Sequence, residues 1–175
     1  AFIKSPKVIH DSILGTNIFK PHEIAVLDSP LLQRLRRISQ VDVVPLVFPS
    51  GNHNRFEHSL GVTVIAEKLV RALHTKESLS DSSEFEELLL HVRMAGILHD
   101  CGHGAFSHMS EDIHGDMDDL VAERHSNRFL YGDSKPHEIL SYLIVTSPAF
   151  RDFFDKHVVS VYKKSFDLDL IGEMI

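Results

Sequence analysis

The sequence predicts a mainly α-helical domain carrying a short β-hairpin at its front. Three observations support this. Apolar residues recur at helical spacing through most of the chain after residue 28. A strand-like stretch broken by turn residues occurs near the N-terminus. The composition, 43% hydrophobic and 25% charged over 175 residues, is that of one globular domain able to bury a sizeable core.

The elements follow in order. Lys7-Val8-Ile9-His10 and Ile13-Leu14, then Gly15-Thr16-Asn17 and Ile18-Phe19, read as a hairpin. Asp28 or Ser29 is placed to cap a helix with Pro30 in its first turn, running through Leu31, Leu32, Leu35 and Ile38. Val43 to His53 is apolar and then rich in Pro, Ser, Gly and Asn, which predicts a loop. A second helix is expected from Arg55 to His74, with Val62, Ile65, Leu69 and Leu73 on its apolar face. The polar stretch Lys76 to Ser83 reads as a surface loop. Ser83 and Glu86 form a capping-box pattern, and Phe85, Leu88, Leu89, Val92, Gly96 and His99 then trace one buried helical face that Gly102 and Gly104 should terminate. Glu111 to Ser134 looks partly helical and partly loop. Pro136 opens a helix with an apolar stripe of Leu140, Leu143 and Ile144, and another helix begins near Pro148.

Charge and cysteine use limit the function. A formal charge of −7 argues against broad nucleic-acid binding yet leaves a small phosphorylated substrate open. A single cysteine, Cys101, excludes an internal disulfide framework and suits a reducing compartment. Ala1 to Lys7 has no hydrophobic signal core, and no apolar run approaches membrane-spanning length, so a cytoplasmic protein without a membrane span is expected. The unusual feature is thirteen histidines, the side chain that most often ligates metals and moves protons near neutral pH.

Their positions are informative. His99 lies on an apolar helical stripe with Asp100 directly after it. A carboxylate facing a core needs a partner or a metal, and imidazole nitrogen with carboxylate oxygen suits zinc, iron or manganese. An isolated His-Asp pair is more often a structural hydrogen bond. Here, however, His103 and His108 follow within a glycine-containing loop. Arg55 and His58, three residues apart at a helix start, share a face, so a guanidinium fork for phosphate oxygens stands beside a further metal ligand. His137-Glu138, in the first turn of a helix, adds a general-acid and orienting pair; alone it would read as an exposed helix start.

Taken together, these clusters resemble the HD-domain superfamily, and within it the deoxynucleoside triphosphate triphosphohydrolases. The resemblance rests on Leu32-Gln33-Arg34-Leu35-Arg36, Val47-Phe48-Pro49, Asn54-Arg55-Phe56-Glu57-His58-Ser59-Leu60-Gly61-Val62 and His99-Asp100-Cys101-Gly102-His103-Gly104-Ala105-Phe106-Ser107-His108, across roughly residues 7 to 145. It implies an HD helical bundle over 1–175 and a divalent metal (Mn, Fe, Zn, Mg or Ni) on His58, His99 and Asp100. It further implies an Arg55 contact to substrate phosphate, His103 and His108 in the phosphate pocket, and His137 as catalytic histidine with Glu138 beside it. Gln40 falls where the family contacts the deoxyribose and Val41 where it excludes a 2′-hydroxyl, although Val41-Asp42-Val43-Val44 departs from the family's glycine-rich segment. The family's fourth ligand, an aspartate on a later helix, has no counterpart before Ile175, since Asp167 and Asp169 come too early; the expectation is a domain seen only in part. Implied partners are a nucleotide substrate and a second copy of the chain, with Arg34 and Arg36 at an interface, an effector site or a solvated face. Competing expectations are an HD hydrolase of another nucleotide and a nucleic-acid-binding or regulatory HD module without turnover.

Overall fold

The computed structural model describes residues 3–77 and 82–175. Lys7–Asp11 (β1) and Gly15–Phe19 (β2) pair antiparallel, Lys7 opposite Phe19 and Asp11 opposite Gly15, as the sequence predicts. The turn closes because the Asp11 carboxylate accepts the backbone N–H groups of Ile13 and Leu14 at 2.8 and 2.7 Å, while Gly15 takes a φ of 75°.

Pro21–Leu27 (α1) was not anticipated. Its signals are Pro21 at the first helical position and Glu23, whose carboxylate turns back to the Lys20 N–H at 2.6 Å. Ser29, not Asp28, caps Pro30–Gln33 (α2); Asp28 pairs instead with Lys7 at 3.0 Å. The helix expected to reach Ile38 tightens after Gln33 into a 3-10 turn, Arg34–Arg37. That turn carries the Arg34 guanidinium inward to the backbone carbonyls of Cys101 and His103. Arg34, half-buried, therefore clamps a distant loop. Arg36 stays exposed, stacked 3.8 Å over the Phe56 ring.

The centre is Arg55–Glu77 (α3) against Ser82–Leu98 (α4). The apolar face predicted for α3 is wrong: Ile65, Leu69 and Leu73 are 54%, 59% and 49% exposed. The buried face is Phe56, Ser59, Thr63 and Val64. At Ser59 and Thr63 it is small and polar, and at Thr63 the helices nearly touch, a Cβ on Gly96 falling 2.9 Å from the Thr63 Cα. Close backbone approach selects small residues, and hydrophobic spacing then marks the outer face. On α4, Phe85 and Leu89 are buried as expected, but Leu88 is exposed, and Met94, Ala95, Ile97 and Leu98 are covered from several sides. Ser83 lies within α4 rather than capping it, Lys76 and Glu77 are helical, and the rest of the predicted surface loop, residues 78–81, lies outside the described residues.

Glu111–Gly115 (α5), Asp118–Ser126 (α6) and Arg128–Tyr131 (α7) form the partly helical stretch. Pro136–Thr146 (α8) and Pro148–Phe154 (α9) start at their prolines as predicted. The buried positions of α8 are His137, Ile139, Ser141 and Val145, while Leu140, Leu143 and Ile144 are only half-buried. A π-helical turn at Asp155–Val159, Ser160–Tyr162 (α10) and Leu168–Glu173 (α11) complete the described chain, with α11 packed on α8 and α4. Among the described residues no helix is long and apolar enough to cross a membrane.

One ionic network joins the front of the domain. Arg93 on α4 donates to both Glu23 carboxylate oxygens at 2.5 and 2.8 Å, to Glu67 on α3 and to the Ile18 carbonyl. Arg93 and Glu23 are nearly fully buried. Because truncating one member leaves the other charged and dry, Arg93→Leu should lower unfolding free energy by about 3–5 kcal/mol in urea titration. A second expectation concerns acid. His22 is buried against Tyr162 and Phe166 with no partner on Nε2. Burial, opposed by Glu23 and reinforced by Lys20, Lys164 and Arg93, holds its pKa down to about 4. The unfolded chain takes up this proton near pH 6.5, so its contribution to stability is intact above that pH and is lost between pH 6.5 and 4, by about 3 kcal/mol. His22→Phe should flatten that part of the stability–pH curve.

Candidate metal centre

Two chain segments bring the centre together. At the start of α3, the Asn54 side chain accepts the Glu57 N–H at 3.0 Å and Glu57 reaches back to the Asn54 N–H at 3.3 Å. This capping box sets the first turn, which places Arg55 and His58 on one side. The second segment is the turn after α4. His99 still bonds backward to the Ala95 carbonyl, and its Nδ1 lies 2.9 Å from the Gly96 carbonyl, which leaves Nε2 free. Asp100 follows at 3% exposure.

The turn is held from two sides. Arg34 grips the carbonyls of Cys101 and His103. On the other side Ser141 of α8 accepts the Gly102 N–H at 2.8 Å and donates to the His99 carbonyl at 2.6 Å. Gly102 is required there, because a Cβ would sit 2.3 Å from the His137 carbonyl. The Cys101 thiol is buried in the same contact, and burial pushes its pKa up to about 12, so it is an inert packing group.

These supports place His58, His99 and Asp100 with one ligand atom each within 4.8 Å of one another. His58 Nε2 is 3.8 Å from Asp100 Oδ2, and His99 Nε2 is 3.3 Å from Oδ1. Arg55, 1% exposed, donates to Asp100 Oδ2 at 2.8 Å and to the Ser107 hydroxyl at 2.7 Å. Phe106 and Ser107 both have left-handed backbones, φ 65° and 50°, strain that delivers the Ser107 hydroxyl to Arg55.

Beside this triad lies a second group: His103, His108, Glu111 and His137, again within 4.8 Å. Glu111 Oε1 is 2.6 Å from His108 Nδ1 and 2.5 Å from His137 Nδ1, and the His103 and His137 rings stack at 3.8 Å. Glu111 is the site residue that sequence reasoning missed. Its one signal is its place three residues after His108, lost among neighbouring acids. Glu138, expected beside His137, turns instead to the Lys135 N–H at 2.6 Å and caps α8. Gln40 and Val41 stand outside both groups, in the loop leading to α3. Gln40 N–H bonds to the His53 carbonyl at 3.1 Å, and its buried Oε1 has no partner. An open cleft of about 610 Å³, lined by His10, Ser50, His53, His58 and Ile65 among others, adjoins the triad.

The HD domain family matches residues 55–170, a span that begins at Arg55 and contains both groups. The chain belongs to the HD domain family. Over 103 residues it is 48% identical to the deoxynucleoside triphosphate triphosphohydrolase SAMHD1 of Bos taurus, covering 59% of this chain and 17% of that protein. It is 46% identical over 107 residues to the Homo sapiens enzyme of the same name, covering 61% and 17%. The SAMHD1 homolog of Dictyostelium discoideum is 39% identical over 108 residues, covering 62% and 21%. The chain thus spans about a sixth to a fifth of the length of these relatives.

The donor set of this HD domain fits a divalent cation. Two imidazole nitrogens and one carboxylate oxygen suit zinc, iron or manganese, and three protein donors leave positions open. The electrostatics agree. Burial pushes the His58 pKa below its ordinary value despite the pull of Asp100, keeping its lone pair available. Burial alone would raise the Asp100 carboxyl; His103, His99 and Arg55 outweigh it and hold the group ionised, well below the usual carboxylate range. Burial also takes His103 down to about 4, against the pull of Asp100.

Removing the Ser141 hydroxyl orphans the Gly102 N–H and the His99 carbonyl together. Ser141→Ala should therefore lower stability by about 1–3 kcal/mol and weaken metal affinity about 10- to 100-fold, read by thermal unfolding and calorimetric titration.

Proposed function

We propose that this HD domain is the hydrolytic core of a metal-dependent phosphohydrolase acting on deoxynucleoside triphosphates. The observation that carries the reading is the convergence of His58, His99 and Asp100 beside a buried arginine and a histidine–glutamate group. The name shared by the vertebrate relatives supports the substrate class.

In this reading His58, His99 and Asp100 hold the ion, which supplies Lewis acidity and a water of lowered pKa. Arg55 keeps Asp100 ionised and presents its positive charge to the phosphoryl oxygens. His103, buried, and His108, exposed at the rim, stand where negative charge grows during cleavage. Glu111 holds His137 and His108 through their Nδ1 atoms, which leaves Nε2 of His137 to deliver a proton to the departing oxygen. Glu138 supports this by fixing the first turn of α8. Gln40 offers its unpartnered Oε1 to the sugar, with Val41 as the apolar neighbour that disfavours a 2′-hydroxyl. Asp42 takes a left-handed φ of 53°, the conformation glycine favours, within the segment that departs from the family's glycine-rich pattern. The protein is placed in the cytoplasm and as a homo-oligomer on the same reading.

The test is hydrolysis of the four dNTPs, the NTPs and the dNMPs with Mn²⁺, Fe²⁺ or Zn²⁺ supplied, resolving triphosphate, pyrophosphate and phosphate. Triphosphate release from dNTPs alone is expected. Silence across the panel from metal-loaded protein would overturn the substrate class, and cleavage of monophosphates would move the domain to another branch of the family. Asp100→Asn and His99→Ala should each reduce turnover to background, and His99→Ala should do so while circular dichroism stays native. Tight binding of single-stranded nucleic acid without any turnover would instead mark a binding module.

A further inference from the structure

Away from the metal centre, a cavity of about 420 Å³ opens between β2 with the lysine that follows it, α3 and α4. Its walls carry Lys20, Lys68, Arg71 and Arg93, and among the described residues Glu67 is the one carboxylate that lines it. Lys68 stands ten residues beyond His58, about 15 Å along α3. Neither His58, His99 and Asp100 nor the histidine–glutamate group lines this cavity.

Local structure gathers the cations. Lys68 and Arg71 are three apart on α3 and so share a face. Lys20 is the N-cap residue of α1, which places it at the end of β2. Arg93, buried on α4, forms the floor.

The charges do not cancel. Arg93 takes Glu23 and shares Glu67 with Arg71. Two carboxylates thus answer four cations, and neither lysine has a carboxylate partner among the described residues. The chain as a whole carries a formal charge of −7, so a positive concavity runs against its balance. The cavities beneath the hairpin and at its tip are instead lined by more carboxylates than lysines and arginines. The positive field is felt behind the wall as well. Burial is the main cause of the low pKa of His22, and against the pull of Glu23 it is reinforced by Lys20, Lys164 and Arg93.

Cations around one concavity focus potential at its centre and favour a multiply charged anion. On the hairpin wall the polar side chains are already engaged. The Asn17 amide donates to the Gly15 carbonyl at 3.0 Å, and the Thr16 hydroxyl meets His10 Nδ1 at 2.9 Å. Recognition here therefore goes by charge and size, not by a pattern of donors and acceptors.

We propose that Lys20, Lys68 and Arg71, above the Arg93 floor, bind a chain of two or three phosphates, free or as the tail of a nucleotide. The two ammonium groups meet phosphate oxygens as point charges, and the guanidiniums anchored on Glu67 supply fixed positive charge behind them. Occupation ties β2, α3 and α4 together and so raises the stability of the folded chain. The site requires neither the metal nor the hydrolytic reading above.

The experiment is calorimetric titration of the full-length protein with sodium tripolyphosphate and, separately, with dATP. EDTA is present throughout, so that neither probe is turned over, and thermal unfolding is followed alongside. Lys20→Gln and Lys68→Gln replace exposed side chains, and Lys4→Gln, exposed and outside the cavity, controls for net charge. Wild-type binding is expected at low ionic strength and is expected to fade at about 0.3 M NaCl, where exposed charges are screened. Lys20→Gln and Lys68→Gln should each weaken it about 5- to 10-fold, and Lys4→Gln should leave it unchanged. Equal affinity for the two probes supports a site for free oligophosphate, and tighter binding of dATP supports one for a nucleotide. Binding that neither Lys20→Gln nor Lys68→Gln weakens lies elsewhere on the molecule and overturns the site. Absence of binding at low ionic strength overturns it too. Because metal is withheld, both failures leave the hydrolytic reading standing.

Discussion

A carboxylate withdrawn from water has to be compensated on every side, and Asp100 shows how much structure that demands. Its Oδ2 takes Arg55 from α3, while its Oδ1 faces His99 and His103. Arg55 is itself buried, so the pair survives only because each charge answers the other. The Ser107 hydroxyl then completes the guanidinium, and the loop carrying Ser107 accepts a left-handed backbone to bring it there. The burial of Arg55, the course of the loop after α4 and the left-handed backbone at residues 106–107 all serve this one desolvated charge.

The centre also depends on distances that only small residues allow. Gly96 lets α3 and α4 come together at Thr63, which fixes how far His58 stands from His99. Gly102 lets the turn after α4 lie directly on α8, where Ser141 ties it down and where His137 approaches His103. The two metal-capable groups are neighbours because these two close approaches occur within one short stretch of backbone. Arg34, reaching in from the 3-10 turn after α2, locks the same stretch from the opposite side. Earlier on α4, the Arg93 network does comparable work for the hairpin, α1 and α3, again through a buried arginine that answers carboxylates from elements distant in sequence.

Much of this was legible in the chain itself. The hairpin followed from a turn signal between two short apolar runs, and the starts of α2, α8 and α9 followed from proline and capping residues, all local effects. His58, His99 and Asp100 could be named because a carboxylate beside an imidazole on an apolar stripe has few explanations, and because the flanking motifs are long. The buried face of α3 could not be read, since helices in close contact bury serine and threonine and leave leucine outside. Glu111 was equally hidden: one acid among several in a polar segment acquires its role only when α8 delivers His137 to it.

The sequence by itself determined a helical domain with a front hairpin, its family, and the histidines and aspartate fit to hold a metal, because these depend on local periodicity and on residue chemistry. Tertiary structure decided which charges are buried and paired, that Arg34 supports the centre from within, that Glu138 caps a helix while Glu111 joins the histidines, and that the donors fall into two adjacent groups. Those outcomes depend on contacts between residues distant in sequence, such as Arg34 and His103, 69 positions apart, and on backbone distances that no local pattern records.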